Sequence, residues 1–425
     1  MNASPKKMTS TFEPSARDNT PPESGPNGVP QQYTNRTRPA LVIVSKEYGT
    51  SSGPEGICCE RLANALSQNG ARVLVFTVRS PGQRPGHIIL DGMGSVANRP
   101  TRVQTVIGQL VLGAPVSHWD WVLRVGSRRI TRPAVIYARG NPLASLVAGY
   151  RLAVRSGLPL VAHFSDPIPS PWEDCSSGLT ARRIATVRKI LDRSTLLTFT
   201  TPEAVTYMSQ LYALDLAEKA VVVHNIVPDW PLSAEDGPET HEITYVGNFG
   251  GNRSPFELVA GLSLFNGRHP EAPLELSFVG TDCSWVQRVR DRYGDFVPIH
   301  SFPRTDKPCA CYTRALISAV VDAGDCTPVF LATKTAEAVH SASRVLVVSP
   351  LGSPARRLFA ERWQTVQFAE NAPEAVLASL ERLSLIPLSI VRAELPDRQA
   401  HLAPFRGTRV AGQLLDQIYS RISTV

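Results

Sequence analysis

The side chains best suited to chemistry gather in two short segments of the second half of the chain. In Asp325-Cys326-Thr327-Pro328-Val329-Phe330-Leu331-Ala332-Thr333-Lys334-Thr335-Ala336-Glu337, a cation and a carboxylate stand three residues apart. On a helix that spacing places both on one face. The segment leads from an apolar run into a helical one, so the pair lies near a helix N-terminus. There Lys334 can meet a phosphate and Glu337 can accept both hydroxyls of a ribose. A surface ion pair accounts equally for the two residues taken alone. Upstream, Tyr245-Val246-Gly247-Asn248-Phe249-Gly250-Gly251-Asn252-Arg253-Ser254-Pro255 joins a strand-like run to a helix start. Its glycines let backbone N–H groups approach an anion, and Arg253 can clamp a phosphate with two hydrogen bonds. Because GxGxxG is absent, a plain strand-to-helix turn with a solvated arginine is the competing reading.

The first half offers His163-Phe164-Ser165-Asp166-Pro167, which follows an apolar strand and points toward a presumed cleft. A histidine in that position also reads as a packed, hydrogen-bonded core residue. The loop from Tyr48 through Gly56 contains Gly53 and Gly56 and opens a helix. The seven cysteines (58, 59, 175, 283, 309, 311 and 326) form no CxxC pair. That argues against a zinc site or a disulfide framework and for reduced thiols in the cytoplasm. No Asp-x-Asp pair sits in a metal-binding loop.

Such residues need strands and helices to hold them. Leu41 to Val44 is a continuous apolar run, the mark of a strand buried on both faces. A Gly-rich loop, a helical run through Ile57, Leu62, Ala65 and Leu66, and a second apolar run at Val73 to Val78 complete a βαβ unit. Alternation continues to Val223. It restarts after a Pro- and acid-rich linker at 228–241, with strands expected at 242–246, 274–279, 296–300, 317–322, 344–349 and 364–368. The pattern predicts an α/β chain of two Rossmann-like, doubly wound parallel sheets facing a central cleft. The domains expected are 39–227 and 242–405, with a helix from 406 packing back on the first. Residues 1–38, rich in Pro, Ser, Thr and Asn, read as a disordered tail without a secretory signal.

With 425 residues, 43% of them hydrophobic, the chain can bury two cores, and no run reaches the roughly 20 apolar residues of a membrane helix. The net charge is +7, from 44 basic against 37 acidic residues, and all but seven of the basic ones are Arg. That balance favours phosphates or an anionic membrane face as partners rather than nucleic acid, since no single basic stripe carries interleaved aromatics. Residues 101–132 combine Val106, Leu110, Val111, Trp119 and Trp121 with Arg124, Arg128 and Arg129. They read either as an interfacial membrane patch or as a core-packed helix with a basic edge.

The layout, the turn GNFGGNRSP and the segment PVFLATKTAEAVHSASRVLVVSPLGSP resemble bacterial retaining glycosyltransferases of the GT-B fold, family-4 type, over about residues 40–425. The family pattern reads roughly P-x-F-L-P-S-K-L-x-E-Y-x-A-A-G-x-P-V-L. The resemblance implies a hexosyl transfer from a nucleotide-diphosphate sugar to an acceptor hydroxyl, with retention. No cofactor is implied beyond the donor itself, and no metal. Arg253 and Lys334 would hold the diphosphate, Glu337 the ribose, and Gly247, Asn248, Gly352 and Ser353 would complete the donor site. His163 would contact the donor sugar, Asp166 would lie near the acceptor, and Gly53 and Gly56 would belong to the acceptor loop. The implied acceptor is a cell-surface or lipid-linked glycan, met in the cytoplasm or at the inner membrane face. Departures are plain: Val329 stands where many members carry a first Glu, and the family's paired Gly is replaced by Gly53-Pro54-Glu55-Gly56. A natural-product glycosyltransferase, a sugar-nucleotide epimerase and a non-catalytic partner subunit are the alternatives.

Overall fold

The structure, a computed structural model, describes residues 39–49, 53–78, 87–90, 102–116, 118–131, 133–230, 232, 237–238, 240–250, 252–305, 307–322, 324 and 327–422. The expected disordered tail, part of the 228–241 linker, and Asp325 and Cys326 lie outside the described residues.

The first domain runs β1 (Ala40–Val44), α1 (Pro54–Gln68), β2 (Val73–Phe76), β3 (His87–Leu90), α2 (Arg102–Leu112), α3 (Trp119–Ser127), β4 (Ala134–Arg139), α4 (Leu143–Ser156), β5 (Leu160–Phe164), α5 (Gly178–Arg193), β6 (Leu196–Phe199), α6 (Pro202–Tyr212) and β7 (Ala220–Val222). The second runs β8 (Glu242–Val246), α7 (Phe256–Arg268), β9 (Glu275–Val279), α8 (Cys283–Tyr293), β10 (Ile299–Phe302), α9 (Pro308–Arg314), β11 (Ile317–Val321), α10 (Thr333–His340), β12 (Arg344–Val348), α11 (Pro354–Phe359), β13 (Val366–Ala369) and α12 (Pro373–Ser384). Two more helices follow, α13 (Leu388–His401) and α14 (Gly407–Ile422).

Every strand pair is parallel. The first sheet has the order β3-β2-β1-β4-β5-β6-β7 and the second β10-β9-β8-β11-β12-β13. Both reverse direction once, between β1 and β4 and between β8 and β11. Loops leaving the two strands at such a point diverge to opposite faces and open a crevice at the carboxyl ends. The loops after β8 and β11 are the two segments singled out above.

Strands such as the wholly apolar ALVIV, and ISAVV with its one hydrogen-bonded serine, are buried end to end, as helices on both faces require. On one face of the first sheet α3 and α4 pack. On the other, α1 packs together with Val410, Leu414, Leu415 and Ile418 of α14, so the last helix returns to the first domain. The chain therefore crosses between domains twice, and the crossings touch: Val227 N–H donates to Phe405 O at 3.0 Å. Arg406 donates to Pro228 O and Asp229 Oδ1 at 3.2 and 2.7 Å.

The expected strand at 296–300 is displaced to Ile299–Phe302, because Pro298 cannot donate within a ladder. The 101–132 stretch forms α2 and α3. Trp121 is buried at 2% exposure and Trp119 is half-buried, so the indole anchors expected of a membrane patch are not both available to lipid. Apolar exposure lies instead on α2, at Val106, Leu110 and Val111.

Candidate active site

Gly247 closes β8 with φ +118°, a conformation that disfavours any L side chain. Its N–H donates to Val279 O at 2.7 Å, and a Cβ there would stand 1.9 Å from Lys334 Nζ. The glycine thus admits the ammonium of α10 directly against the β8 turn. Asn248 fixes that turn: its Oδ1 accepts from the N–H groups of Phe249 and Asp282, both at 3.0 Å. Lys334 Nζ also stands 5.2 Å from the centre of the Tyr245 ring, a cation–π distance.

Arg253, Lys334 and the buried Asp322 at the end of β11 interact electrostatically. Burial, then the neighbouring Arg253 charge, pulls the Lys334 amine down to about 8. Burial raises the Asp322 carboxyl, against Arg253, a hydrogen bond from Ser349 (3.0 Å) and Lys334. On Lys334 the repulsion from Arg253 outweighs the attraction of Asp322, so a further anion would relieve it and the arrangement suits a diphosphate.

Arg253 and Asn248 line a cavity of about 500 Å³ whose opposite wall is first-domain chain: Pro54, Asn141, Asp166 and Trp172. Asp166 accepts from Asn141 Nδ2 at 3.0 Å. Its carboxyl is raised by burial and lowered by Arg253 across the cleft. At the rim Trp172 and Phe330 meet with ring centres 5.0 Å apart. Asp166 and Arg253 therefore line one cavity, while Lys334 stands behind it against the β8 turn.

Other candidates sit elsewhere. His163 is 1% exposed, stacked near Tyr137 and hydrogen-bonded through Nδ1 to Thr198 Oγ1 at 2.9 Å. Burial, then Arg139, depresses its basicity well below the ordinary histidine range, and Nε2 has no hydrogen-bond partner. Ser353 uses its hydroxyl to accept from Arg356 N–H at 3.2 Å and from Ser349 at 2.6 Å, so it caps α11. Gly352 turns the chain before it with φ +77°. Val329, in the place of the family's first Glu, is buried, and its carbonyl accepts from Thr201 Oγ1 of the first domain at 2.7 Å.

Gly53, with φ +103°, precedes α1, and a Cβ there would lie 3.3 Å from Glu47 Oε2. Gly56 O accepts from Gly49 N–H at 3.0 Å, which folds the loop back on itself. Between them Glu55, not singled out in the sequence, pairs with the buried Arg139 and accepts from Ser165 Oγ at 2.9 Å. Arg139 also donates to Asn225 Oδ1 at 3.1 Å. Glu337 is 4% exposed, and Arg61 Nη1 of α1 donates to its Oε1 at 2.7 Å. No sequence signal marks Arg61 or Arg139, since their partners lie on distant elements. Among the described residues no group of three His, Cys, Asp or Glu could hold a metal ion.

Residues 55–225 match the family described as a glycosyl transferase 4-like domain. No curated protein matches the chain by sequence. Among solved structures it is similar to HepE of Anabaena in complex with UDP and glucose: TM-score 0.65, 12% identity, 90% of this chain and 100% of that one. A Rickettsia africae glycosyltransferase gives TM-score 0.61 and 13% identity, over 92% of this chain and 100% of that one. Sucrose-phosphate synthase of Thermosynechococcus elongatus gives 0.63 and 15%, over 90% and 100%. At these identities the likeness establishes the fold, GT-B, in both domains.

Proposed function

We propose that this chain, a GT-B protein whose residues 55–225 belong to the glycosyl transferase 4-like family, is a hexosyltransferase that moves a sugar from a nucleoside diphosphate to an acceptor hydroxyl with retention. The observation that supports the reading is that Arg253, at the turning point of the second sheet, faces Asp166 across one cavity and acts electrostatically on Lys334 beside it. In the step, the bond from the anomeric carbon to the β-phosphate oxygen breaks. The acceptor oxygen bonds to the same face of that carbon, and its proton passes to the departing phosphate oxygen. Negative charge grows on the diphosphate, where the two cations stabilise it. No protein base is required, which fits a His163 whose basicity burial depresses.

UDP is the first nucleotide to try, because HepE is described in complex with UDP and glucose. Glu337 holds the ribose. Glu337→Ala should weaken UDP binding about tenfold or more, the worth of a charged hydrogen bond. Unchanged calorimetric affinity in a folded variant would remove the ribose assignment. Turnover needs no divalent ion in this reading. Purified protein incubated with UDP-, GDP- and ADP-sugars in EDTA should release nucleotide slowly by hydrolysis, and faster once an acceptor is present. Product that is an epimerised nucleotide sugar would select the epimerase alternative, and inertness toward every donor the non-catalytic subunit.

The acceptor is a cell-surface or lipid-linked glycan reached at a membrane face. No described helix is long and apolar enough to cross a membrane, so attachment is peripheral. Val106, Leu110 and Val111 expose 56%, 79% and 48% of their surface on α2, and Arg128 and Arg129 are exposed just beyond α3. An apolar stripe near cations suits an anionic lipid surface. The protein should sediment with anionic vesicles at low salt, and Leu110→Glu should release it. Wild-type protein remaining in the supernatant would favour a soluble acceptor.

A further inference from the structure

Arg61 lies near the middle of α1, on the helix whose N-terminus carries the Gly53–Gly56 loop. Its guanidinium reaches out of the first domain and makes two hydrogen bonds through Nη1, to Ile226 O in the interdomain crossing at 3.1 Å and to Glu337 Oε1 on α10 at 2.7 Å. Both side chains are largely withdrawn from solvent, at 17% exposure for Arg61 and 6% for Glu337. The other oxygen, Oε2, accepts no hydrogen bond among the described residues. The carboxylate is thus held at one atom by the first domain, and its second atom is left for a ligand of the second.

We infer that Arg61 is a positioning residue of the nucleotide site: by holding Glu337 through Oε1 it aims Oε2 at the ribose hydroxyls of the donor. The inference rests on the donor reading given above, in which Glu337 meets the ribose. A glutamate has three side-chain torsions, and an unanchored carboxylate must be ordered at each binding event. Arg61 does that ordering beforehand. The anchor comes from the domain that carries the acceptor loop, so nucleotide affinity depends on the approach of the two domains. A partly opened cleft, in which α1 and α10 separate, breaks the ion pair and releases the carboxylate. α1 is fixed at its other end by Glu55, which Arg139 and Ser165 hold. A change at the acceptor loop therefore reaches the ribose through one rigid helix.

The test compares UDP with 2′-deoxy-UDP by calorimetry on the full chain, in wild type, Arg61→Met and Arg61→Lys. Wild type should prefer UDP about tenfold, the worth of a charged hydrogen bond. Arg61→Met should lose about tenfold in UDP affinity but little toward 2′-deoxy-UDP, so the preference collapses, and Arg61→Lys should restore part of it. Combined with Glu337→Gln, the Met variant should add little further loss, because both act on one contact. Equal weakening toward both nucleotides, or wild-type preference in a folded Met variant, overturns the inference. If Arg61→Met does not fold, the Lys variant carries the same comparison. If the wild type binds none of UDP, GDP and ADP, the donor reading fails first and this inference with it. If it binds GDP or ADP instead, the comparison runs with that nucleotide and its 2′-deoxy form.

Discussion

Lys334→Met should lower the rate of sugar transfer on the order of 10²–10³-fold, the usual consequence of deleting one preorganised group that stabilises a leaving anion. Methionine keeps the length of the stem against Gly247 and Tyr245 and removes only the charge, so the fold should survive. The same lysine sets an alkaline limit. Its amine is pulled down to about 8 by burial and then by Arg253, so in the donor-free enzyme it is charged below that pH and loses its proton above it. The quantity kcat/KM for the donor, which reports the free enzyme, should fall as pH rises through about 8. Bound diphosphate adds negative charge beside Lys334 and Arg253 beyond that of Asp322, raises the amine again, and should leave kcat flatter than kcat/KM. Lys334→Arg, which does not titrate in this range, should remove the alkaline fall. Turnover by Lys334→Met at the wild-type rate, or an alkaline limb that persists in Lys334→Arg, would disconnect this side chain from the leaving group.

The fold was largely legible because parallel strands covered on both faces must be apolar throughout. Runs such as Leu41–Val44 and Val345–Val348 therefore announce themselves without tertiary information. Elements that break this rule were missed. α13 carries Pro396 in its interior and shows almost no apolar face. Its Arg398, fully buried, donates to Val339 O and Ser343 O at 2.8 and 3.1 Å and so caps the helix that bears Lys334 and Glu337. β3 is four residues long and isolated from other signals. In the candidate site, Lys334, Glu337 and Arg253 stand out in the sequence because they lie at strand-to-helix turns. Asp322 was passed over because a buried acid at a strand end has no spacing signature. Arg61 and Glu337 are separated by 276 residues of chain, and Arg139 and Glu55 lie on different elements of the first domain. Only the topology makes such pairs neighbours. For His163 the resemblance implies contact with the donor sugar, and only the tertiary structure shows its buried ring stacked near Tyr137 and hydrogen-bonded to Thr198.

Arg139→Met should be among the most damaging single changes to stability, and its effect should depend on pH in a defined direction. Arg139 is 2% exposed and holds Glu55, and removing one member of a buried pair costs about 3–5 kcal/mol, because the survivor keeps its desolvation without its partner. The survivor here can take up a proton. Burial already lifts the Glu55 carboxyl from 4.5 to about 7, with Arg139 and Ser165 opposing the rise. A raised carboxyl means that the folded state retains a proton the unfolded chain has released. This group's contribution is therefore fully present below about 4.5 and is lost as pH climbs through 7. Without Arg139 the carboxyl rises further, so that loss extends to more alkaline pH in the variant. The deficit of Arg139→Met relative to wild type should thus be largest near pH 8 and should shrink toward pH 5, where Glu55 is protonated in both proteins. Adding Glu55→Gln should recover much of the deficit at pH 8, since a neutral amide can still accept from Ser165 and needs no counter-ion. Urea midpoints for wild type, the Arg139→Met variant and the double variant at pH 5 and pH 8 provide the measurement. A deficit equal at both pH values would mean that Arg139 acts through packing and its bond to Asn225 rather than through the charge of Glu55.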